Sequence, residues 1–193
     1  MKDQTPSAAE PSPRERILVT AHDLFYRDGI RATGIDRVIA HARVTKVTFY
    51  RHYPSKNALI MAYLAYRHEN WMKWLKSSLE KHTTSGLAPL DALLSTFGAW
   101  WSSSDYRGCA FINTAAELGG ADPEVLAVVR QHKAEMTSVL ETLLPADSQR
   151  PSRAGALAVA IDGAIVHAQT GMPVDLVLAT LRRIAEPLLS KEV

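Results

Sequence analysis

The residues best suited to chemistry lie between Thr45 and Lys56, where hydroxyls, rings and cations are concentrated in one short segment. Residues 45–52 read Thr-Lys-Val-Thr-Phe-Tyr-Arg-His, which places two threonine hydroxyls, two aromatic rings and three basic side chains within eight positions. Side chains of these types hydrogen-bond to phosphate oxygens and to the edges of bases. The segment therefore suits the surface of a nucleic acid better than it suits a hydrophobic core.

Two short helices and a tight turn are predicted to position this segment. Apolar residues recur at helical spacing in the first helix, at Ile35, Val38, Ile39 and Ala42. Thr33 is the predicted cap of that helix, and Thr45 is the predicted cap of the second. The second helix must end near Tyr53, because Pro54 disfavours helical geometry in the residue before it. This is the pattern of a helix-turn-helix, whose second helix enters the major groove of DNA.

A helix-turn-helix also needs side chains that face its own interior. Val44 is placed to be the buried apolar residue of the turn. In the second helix, Val47 is expected to face inward together with Tyr50 or Phe49. Of the two rings, Phe49 is the one for which burial is favoured.

Helical periodicity continues along the chain, and no segment alternates as a strand would. The predicted helices cover approximately residues 13–27, 35–42, 45–53, 56–81, 87–103, 107–119, 123–144, 152–170 and 174–190. We therefore expect an all-α fold of about nine helices, with a three-helix helix-turn-helix head at 13–56 and a larger helical body at 57–193. Residues 1–12 lack an apolar core and are expected to be a disordered arm, not a signal peptide.

The distribution of charge favours a nucleic-acid partner for the head. Residues 1–56 carry ten Lys and Arg against six Asp and Glu, a net charge of +4, whereas residues 57–193 carry twelve against fourteen. The single cysteine, Cys109, excludes an internal disulfide and fits a reducing compartment, so we expect a cytoplasmic protein. Inert packing of Cys109 is favoured over a redox sensor, since no second cysteine could resolve an oxidised thiol. No apolar run is long enough to cross a membrane.

Residues 42–59 read Ala-Arg-Val-Thr-Lys-Val-Thr-Phe-Tyr-Arg-His-Tyr-Pro-Ser-Lys-Asn-Ala-Leu. This stretch resembles the signature of the tetracycline-repressor-like (TetR) family of transcriptional regulators. The spaced pairs before it resemble the same family, at Leu24-Phe25, Asp28-Gly29, Ala32-Thr33 and Ile39-Ala40. The resemblance covers about residues 14–60, and the rest of the chain shares the family's all-α length and order. It implies a DNA-binding head and a body that holds a ligand cavity.

The resemblance also implies which side chains meet DNA. Lys46, Arg51 and Lys56 are in addition left outward by the hydrophobic pattern, which favours phosphate partners. Arg43 replaces the glycine usual in the family's turn, where a left-handed backbone costs a non-glycine residue about 1 kcal/mol; a phosphate contact is our hypothesis for what offsets that cost. Val47 stands where the family often has a small residue. The predicted DNA contacts are Thr33, Arg43, Thr45, Lys46, Thr48, Tyr50, Arg51, His52 and Lys56.

In the body, the resemblance implies a ligand cavity between the long fourth helix and the helices that follow it. The candidate lining residues are Trp71, Trp74, Trp100, Phe111, Asn113, Glu117 and His167. Core packing explains the same aromatic residues, and His167 also fits a core histidine. The sequence has no glycine-rich phosphate loop, paired cysteine ligands or His-Glu-x-x-His pattern, so no cofactor and no metal are expected.

The two C-terminal helices, within about residues 152–190, are predicted to form a homodimer interface. The first is rich in alanine and glycine, which lets helices approach closely, and the second has an apolar stripe at Val174, Val177, Leu178, Leu181, Ile184 and Leu188. The same pair from a second copy would complete a four-helix bundle. The alternative is that both helices only close the core of one chain. The small size of the DNA-binding head favours the dimer, because one such head needs a second half-site for useful affinity.

Together these features predict a ligand-responsive repressor that binds a palindromic operator in double-stranded DNA as a dimer and is released by a small molecule. A transcriptional activator of the same fold is the first alternative. A helical enzyme that uses His132, His167 and Glu117 is a second, and a protein-interaction module that uses the aromatic body is a third. The spacing of the three enzyme candidates gives that alternative no support, so we do not expect an enzyme.

Overall fold

The computed structural model of the protein describes residues 11–120 and 122–190, and this part of the chain contains nine α-helices and no β-strand. The helices are α1 (Pro13–Asp28), α2 (Ile35–Ala42), α3 (Lys46–His52), α4 (Lys56–Thr84), α5 (Pro89–Trp101), α6 (Ala110–Leu118), α7 (Pro123–Glu141), α8 (Arg150–Gln169) and α9 (Val174–Leu189). The predicted all-α fold of about nine helices is confirmed. Residues 1–10 of the predicted arm lie outside the described residues. Among the described helices, none combines the length and apolar character that a membrane span requires.

Local signals in the sequence account for where several helices begin. The hydroxyl of Ser12 accepts a hydrogen bond from the Glu15 N–H at 3.3 Å, and the Glu15 carboxylate accepts one from the Ser12 N–H at 2.8 Å. Thr45 and Ser55 cap α3 and α4, and Asp122 accepts from two backbone N–H groups at the start of α7. Each bond satisfies an N–H group that the first turn of a helix leaves unpaired.

The chain divides into two compact units whose boundary lies inside α4. The first unit, the head, runs to Tyr63, and the second, the body, begins at Leu64. The sequence placed this boundary at residue 56, where α4 begins. The first two turns of α4 belong with the head because their apolar side chains are buried there; the ring of Tyr63 packs 5.4 Å from that of Phe25 in α1.

The head has one apolar core shared by its helices. Apolar residues of α1, α2 and α3, with one that follows α3, are buried together; they are Ile17, Ala21, Leu24, Phe25, Val38, Ala42, Phe49 and Tyr53. Arg16 of α1 donates to the carbonyl of Ala42 at 3.4 Å, at the point where α2 ends. This core fixes which side of α3 is left facing solvent.

In the body, α8 packs against α7 and α9, and α5 packs against α9. The approach of α5 and α9 is close, since a Cβ added to Gly98 would lie 3.0 Å from a methyl of Leu178. The loop before α6 is fixed to α8, because the Tyr106 hydroxyl donates to a carbonyl of that helix at 2.8 Å. Gly108 in this loop has φ 82°, and a Cβ there would collide with the side chain of Gln169. Glycine is the residue that both conditions allow.

Candidate functional site

The outward side of α3 is formed by Lys46, Val47, Tyr50 and Arg51, which we call the α3 surface. Val47 is 69% exposed, Tyr50 is 42% exposed, and both cations face solvent. Phe49 lies on the opposite side and is fully buried, with its ring centroid 5.2 Å from that of Tyr50. The burial expected for Phe49 is thus confirmed. The cations and the tyrosine share the side that the core leaves open.

The other residues of α3 predicted to meet DNA lie beside this surface. Thr45 is exposed, while Thr48 and His52 are half-buried. The Thr45 hydroxyl accepts from the Thr48 N–H at 3.1 Å and lies 2.9 Å from the Thr48 hydroxyl. A hydroxyl has one donor and two acceptor positions, so capping leaves Thr45 one position for a further partner.

Thr33 is a correction to the sequence-based prediction. The residue that caps α2 is Gly34, which makes no side-chain hydrogen bond, and Thr33 is fully buried. Its hydroxyl donates to the carbonyl of Gly29 at 2.8 Å, just past the end of α1. Thr33 is therefore a tether between α1 and α2, and it has no exposed surface with which to touch DNA.

Val47 is a second correction, because it was expected to face inward and instead faces solvent. The buried residue of α3 is Phe49, and Tyr53, which follows the helix, is buried as well, so residue 47 lies on the other side. Val44, which was expected to be the buried residue of the turn, is half-buried. The α3 surface thus carries an exposed apolar side chain between its two cations.

Arg43 ends α2 in the left-handed conformation that the resemblance implied. Its φ of 52° and ψ of 49° make it the one non-glycine residue with positive φ in the described part of the chain. Its side chain is exposed. The conformation costs about 1 kcal/mol relative to glycine, and the turn that it produces sets the angle between α2 and α3.

The two lysines of the predicted interface have different surroundings. Lys46 is exposed, and its ammonium lies 3.6 Å from the carboxylate of Asp36, which is exposed as well. An exposed pair of this kind contributes little to stability, so a phosphate can replace Asp36 readily. The ammonium of Lys56 donates to the carbonyl of Ile30 at 2.6 Å and is half-buried. Lys56 thus ties the start of α4 to the loop before α2.

In the body, the structure brings three of the predicted ligand residues together. The ring centroids of Trp71, Trp74 and Trp100 lie 6.0, 5.8 and 6.1 Å apart in their three pairs. They line a cavity of about 360 Å³, which we call the tryptophan pocket, together with Arg67, Asn70, Ala99 and Ser103. This volume lies at the small end of the range for ligand sites.

A buried histidine, which no spacing in the sequence places there, lies behind the tryptophans. The ring of His132 stacks on that of Phe111, with centroids 3.5 Å apart, and its centroid lies 5.3 Å from that of Trp71. His132 Nδ1 and His68 Nδ1 share a hydrogen bond at 3.0 Å, and His68 Nε2 donates to the Glu135 carboxylate at 3.1 Å. Burial, with the positive charges nearby, lowers the pKa of His132 to about 3. His132 is therefore neutral near pH 7.

The remaining ligand predictions fall elsewhere in the body. The amide of Asn113 donates to the Arg107 carbonyl at 2.9 Å and accepts from Gln169 at 3.2 Å, so it holds the α6 loop against α8. Glu117 is half-buried on α6 and is not among the residues that line the pocket. His167 is exposed on α8, so it is neither a pocket residue nor a core histidine. Phe111 reaches only a void of about 10 Å³ behind the tryptophans.

The residues considered for an enzyme do not assemble. His132 is buried against Phe111, whereas His167 is exposed. Within residues 11–120 and 122–190, no group of three or more His, Cys, Asp or Glu side chains is placed to hold a metal ion. Cys109 is buried, and the ammonium of Lys133 lies 3.7 Å from its sulfur while pairing with Asp162 at 2.6 Å.

The C-terminal helices have an inward and an outward apolar side. The inward residues are buried within the chain, at Leu157, Ile161, Ile165, Val177, Leu181 and Ala185. Outward, we define the α8–α9 surface as Val159, Gly163 and Val166 of α8 and Leu176 and Ile184 of α9. Val159 is 74% exposed and Leu176 is 54% exposed, and a Cβ added to Gly163 would meet nothing within 4 Å. Closing the chain's own core therefore uses only one side of these helices.

Comparison with known proteins gives consistent matches. The family described as "Bacterial regulatory proteins, tetR family" matches residues 17–63. The HTH-type transcriptional regulator Rv0196 of Mycobacterium tuberculosis is 30% identical over 186 residues, covering 89% of this chain and 93% of its own. The HTH-type transcriptional activator FasR of Mycolicibacterium smegmatis is 26% identical over 170 residues, covering 84% and 75%. The crystal structure of SCO4454, a TetR-family regulator from Streptomyces coelicolor, superposes with a TM-score of 0.76 at 30% identity, covering 92% and 94%.

Proposed function

Since the chain belongs to the TetR family of bacterial regulatory proteins, we propose that it is a repressor that binds a palindromic operator as a homodimer and leaves it when a small molecule occupies the body. It is a DNA-binding transcriptional regulator and not an enzyme. A protein that binds a chromosomal operator would act in the cytoplasm. The observation that carries the proposal is the α3 surface, where cations, a hydroxyl and an apolar side chain share one exposed side.

Each side chain of the α3 surface has a distinct proposed role at the major groove. Lys46 and Arg51 pair with phosphates, and the hydroxyl of Tyr50 donates to a third. Val47 projects toward base edges, where a thymine methyl is the apolar partner that the major groove offers. Thr45, Thr48 and His52 extend this contact at the edges of α3, and Arg43 adds a phosphate contact from the turn.

The dimer part of the proposal rests on the α8–α9 surface. Exposed apolar residues on two helices that pack together favour association with an identical pair, which buries both surfaces around a twofold axis. Two heads held by one dimer can occupy two half-sites related by the same symmetry. Such an operator reads as a palindrome.

Ligand release would act through α4. This helix carries Trp71 and Trp74 of the tryptophan pocket, and its first turns belong to the head. A ligand that pushes the two indoles apart from Trp100 displaces α4, and a dimer whose heads change their separation no longer fits half-sites at a fixed spacing. Activation is the alternative, since the relative FasR is described as an activator.

Substitution of Lys46 tests the DNA interface through the salt dependence of binding. Lys46→Ala is expected to weaken binding by similar factors on all DNA sequences. It should also reduce the slope of log K against log salt by about two, because each copy in a dimer loses one phosphate contact. Titration of a labelled operator fragment at several salt concentrations measures both quantities.

Val47→Ala is the matched control, because it alters the same surface without removing a charge. It should leave the salt slope unchanged and weaken the preference for thymine at one position of each half-site. A Lys46→Ala protein whose salt slope equals that of the wild type would exclude Lys46 from the interface.

A further inference from the structure

The tryptophan pocket has one apolar wall and one charged group. Three indoles form the wall, with Ala99 beside them, and the polar lining consists of Arg67, Asn70 and Ser103. Indole rings favour a planar partner that can stack on or pack edge-on against them. The wall therefore favours a ligand with an aromatic ring system over one with a flexible polar chain.

The charge of the pocket decides between two classes of aromatic ligand. Aromatic walls can attract cations, but a cationic ligand would here lie beside the guanidinium of Arg67. The lining contains no Asp or Glu among the described residues that form it. A guanidinium binds a carboxylate through two parallel N–H···O bonds, which fix its orientation as well as its charge.

The surroundings of Arg67 reinforce this preference. Arg67 also lines the small void behind the tryptophans, together with His132. His132 is neutral near pH 7, because burial lowers its pKa to about 3. The histidine therefore neither adds a second cation nor provides a negative charge, and Arg67 is the charged side chain of the lining at this end of the pocket.

We propose that the tryptophan pocket binds a planar aromatic carboxylate, with its rings against Trp71, Trp74 and Trp100 and its carboxylate paired with Arg67. The inference rests on the proposed function, since it names the chemical class of the releasing ligand. The ring system lies against Trp74 and Trp100, the two indoles that are half-buried, while the buried Trp71 forms the floor.

Three probes with the same ring system and different charge test the proposal on the wild-type protein. Naphthaleneacetate, naphthaleneacetamide and naphthylmethylammonium are titrated into the full chain by calorimetry. The acetate is expected to bind about 10- to 100-fold more tightly than the amide, as for a hydrogen-bonded charged pair, and the ammonium more weakly than either. An amide that binds as tightly as the acetate, a tighter ammonium, or no binding of any probe would overturn the proposal.

Two variants assign the preference to its residues. Arg67→Gln should lower the affinity of the acetate to that of the amide. Lys76→Gln is the matched control, because it removes a cation from the same helix. Lys76 lines a different groove, together with Met72 and Leu79, so this variant should still bind the acetate more tightly than the amide. Trp74→Leu should weaken the acetate and the amide by similar factors. A preference that survives Arg67→Gln would contradict the pairing, whichever probe binds best.

Operator binding, measured on the same protein without probe, separates this inference from the proposed function. A protein that binds operator but does not prefer the acetate keeps its function and loses the proposed ligand class. A protein that prefers the acetate but binds no DNA supports the ligand class and contradicts the regulator. Release of operator by the acetate, and not by the amide at the same concentration, supports both.

Discussion

Val159→Glu is expected to convert the proposed dimer to a monomer and to weaken operator binding by about 100-fold or more, because two linked heads bind more tightly than one head by a factor of this size. Val159 is 74% exposed on the α8–α9 surface, so the single chain tolerates a carboxylate there. In a twofold interface the substitution occurs twice, and each unpaired buried carboxylate costs several kcal/mol. Sedimentation measures the mass of the species, and titration of an operator fragment measures the affinity.

Leu87→Glu is the matched control for this experiment. Leu87 is an exposed apolar residue, but it lies before α5 and outside the α8–α9 surface. The same change of charge there should leave both the dimer and the operator affinity unchanged. If Val159→Glu remained dimeric at the concentrations used for DNA binding, the interface would lie elsewhere.

Acid is expected to destabilise the body through His132. Its pKa is about 3 in the folded chain, against about 6.5 in an unfolded one, so the unfolded state binds the extra proton. The contribution of His132 to stability is complete above about pH 6.5 and is lost as the pH falls toward 3, by about 1.4 kcal/mol per unit. Denaturant unfolding at several pH values between about 7 and 5 measures this slope. Tryptophan fluorescence reports on the body alone, since all four tryptophans lie there.

His132→Gln is expected to flatten this dependence. Glutamine has no charge at any pH in the range and can still hydrogen-bond to His68. The variant should therefore lose stability at pH 7, through the missing stack on Phe111, yet show a pH slope smaller by about one proton. Equal slopes in the variant and the wild type would mean that another group takes up the proton.

Much of the head was predictable from the sequence because its signals are local. Thr45 and Ser55 set helix starts in the head through bonds to residues three positions away, and Pro13 occupies a first-turn position where its missing N–H costs no helical bond. Such bonds depend on spacing in the chain and not on tertiary contacts. The left-handed turn at Arg43 was implied by the resemblance to the family, in which glycine is usual at this place.

The errors arose where the position of a side chain in the folded chain, and not its residue type, decides its role. Thr33 has the residue type of a cap, but the carbonyl of Gly29 lies within reach of its hydroxyl and takes its hydrogen bond. Val47 is apolar, but Phe49 and Tyr53 already fill the core side of α3. Apolar character alone does not tell which side of a seven-residue helix is inward.

In the ligand site too, contacts within one helix were predictable from the sequence, and contacts between distant helices were not. Trp71 and Trp74 are three residues apart on one helix, so their shared side was predictable, and Trp100 joins them from α5. The contact between His68 and His132 joins α4 to α7 across 64 positions, and no spacing in the sequence indicates it. His167 fits an apolar helix by composition, yet its position turns it to solvent because Ile161 and Ile165 occupy the inner side.

The most direct test of operator binding is the selection of bound fragments from random DNA by the full-length protein. The selected fragments are expected to share two inverted copies of one short element, with centres about 34 Å apart or a multiple of that distance. The element should be lost from fragments selected with Val159→Glu. Fragments with no common element, or with a single copy that the wild-type protein binds as tightly as two, would contradict the claim that the protein binds a palindromic operator as a dimer.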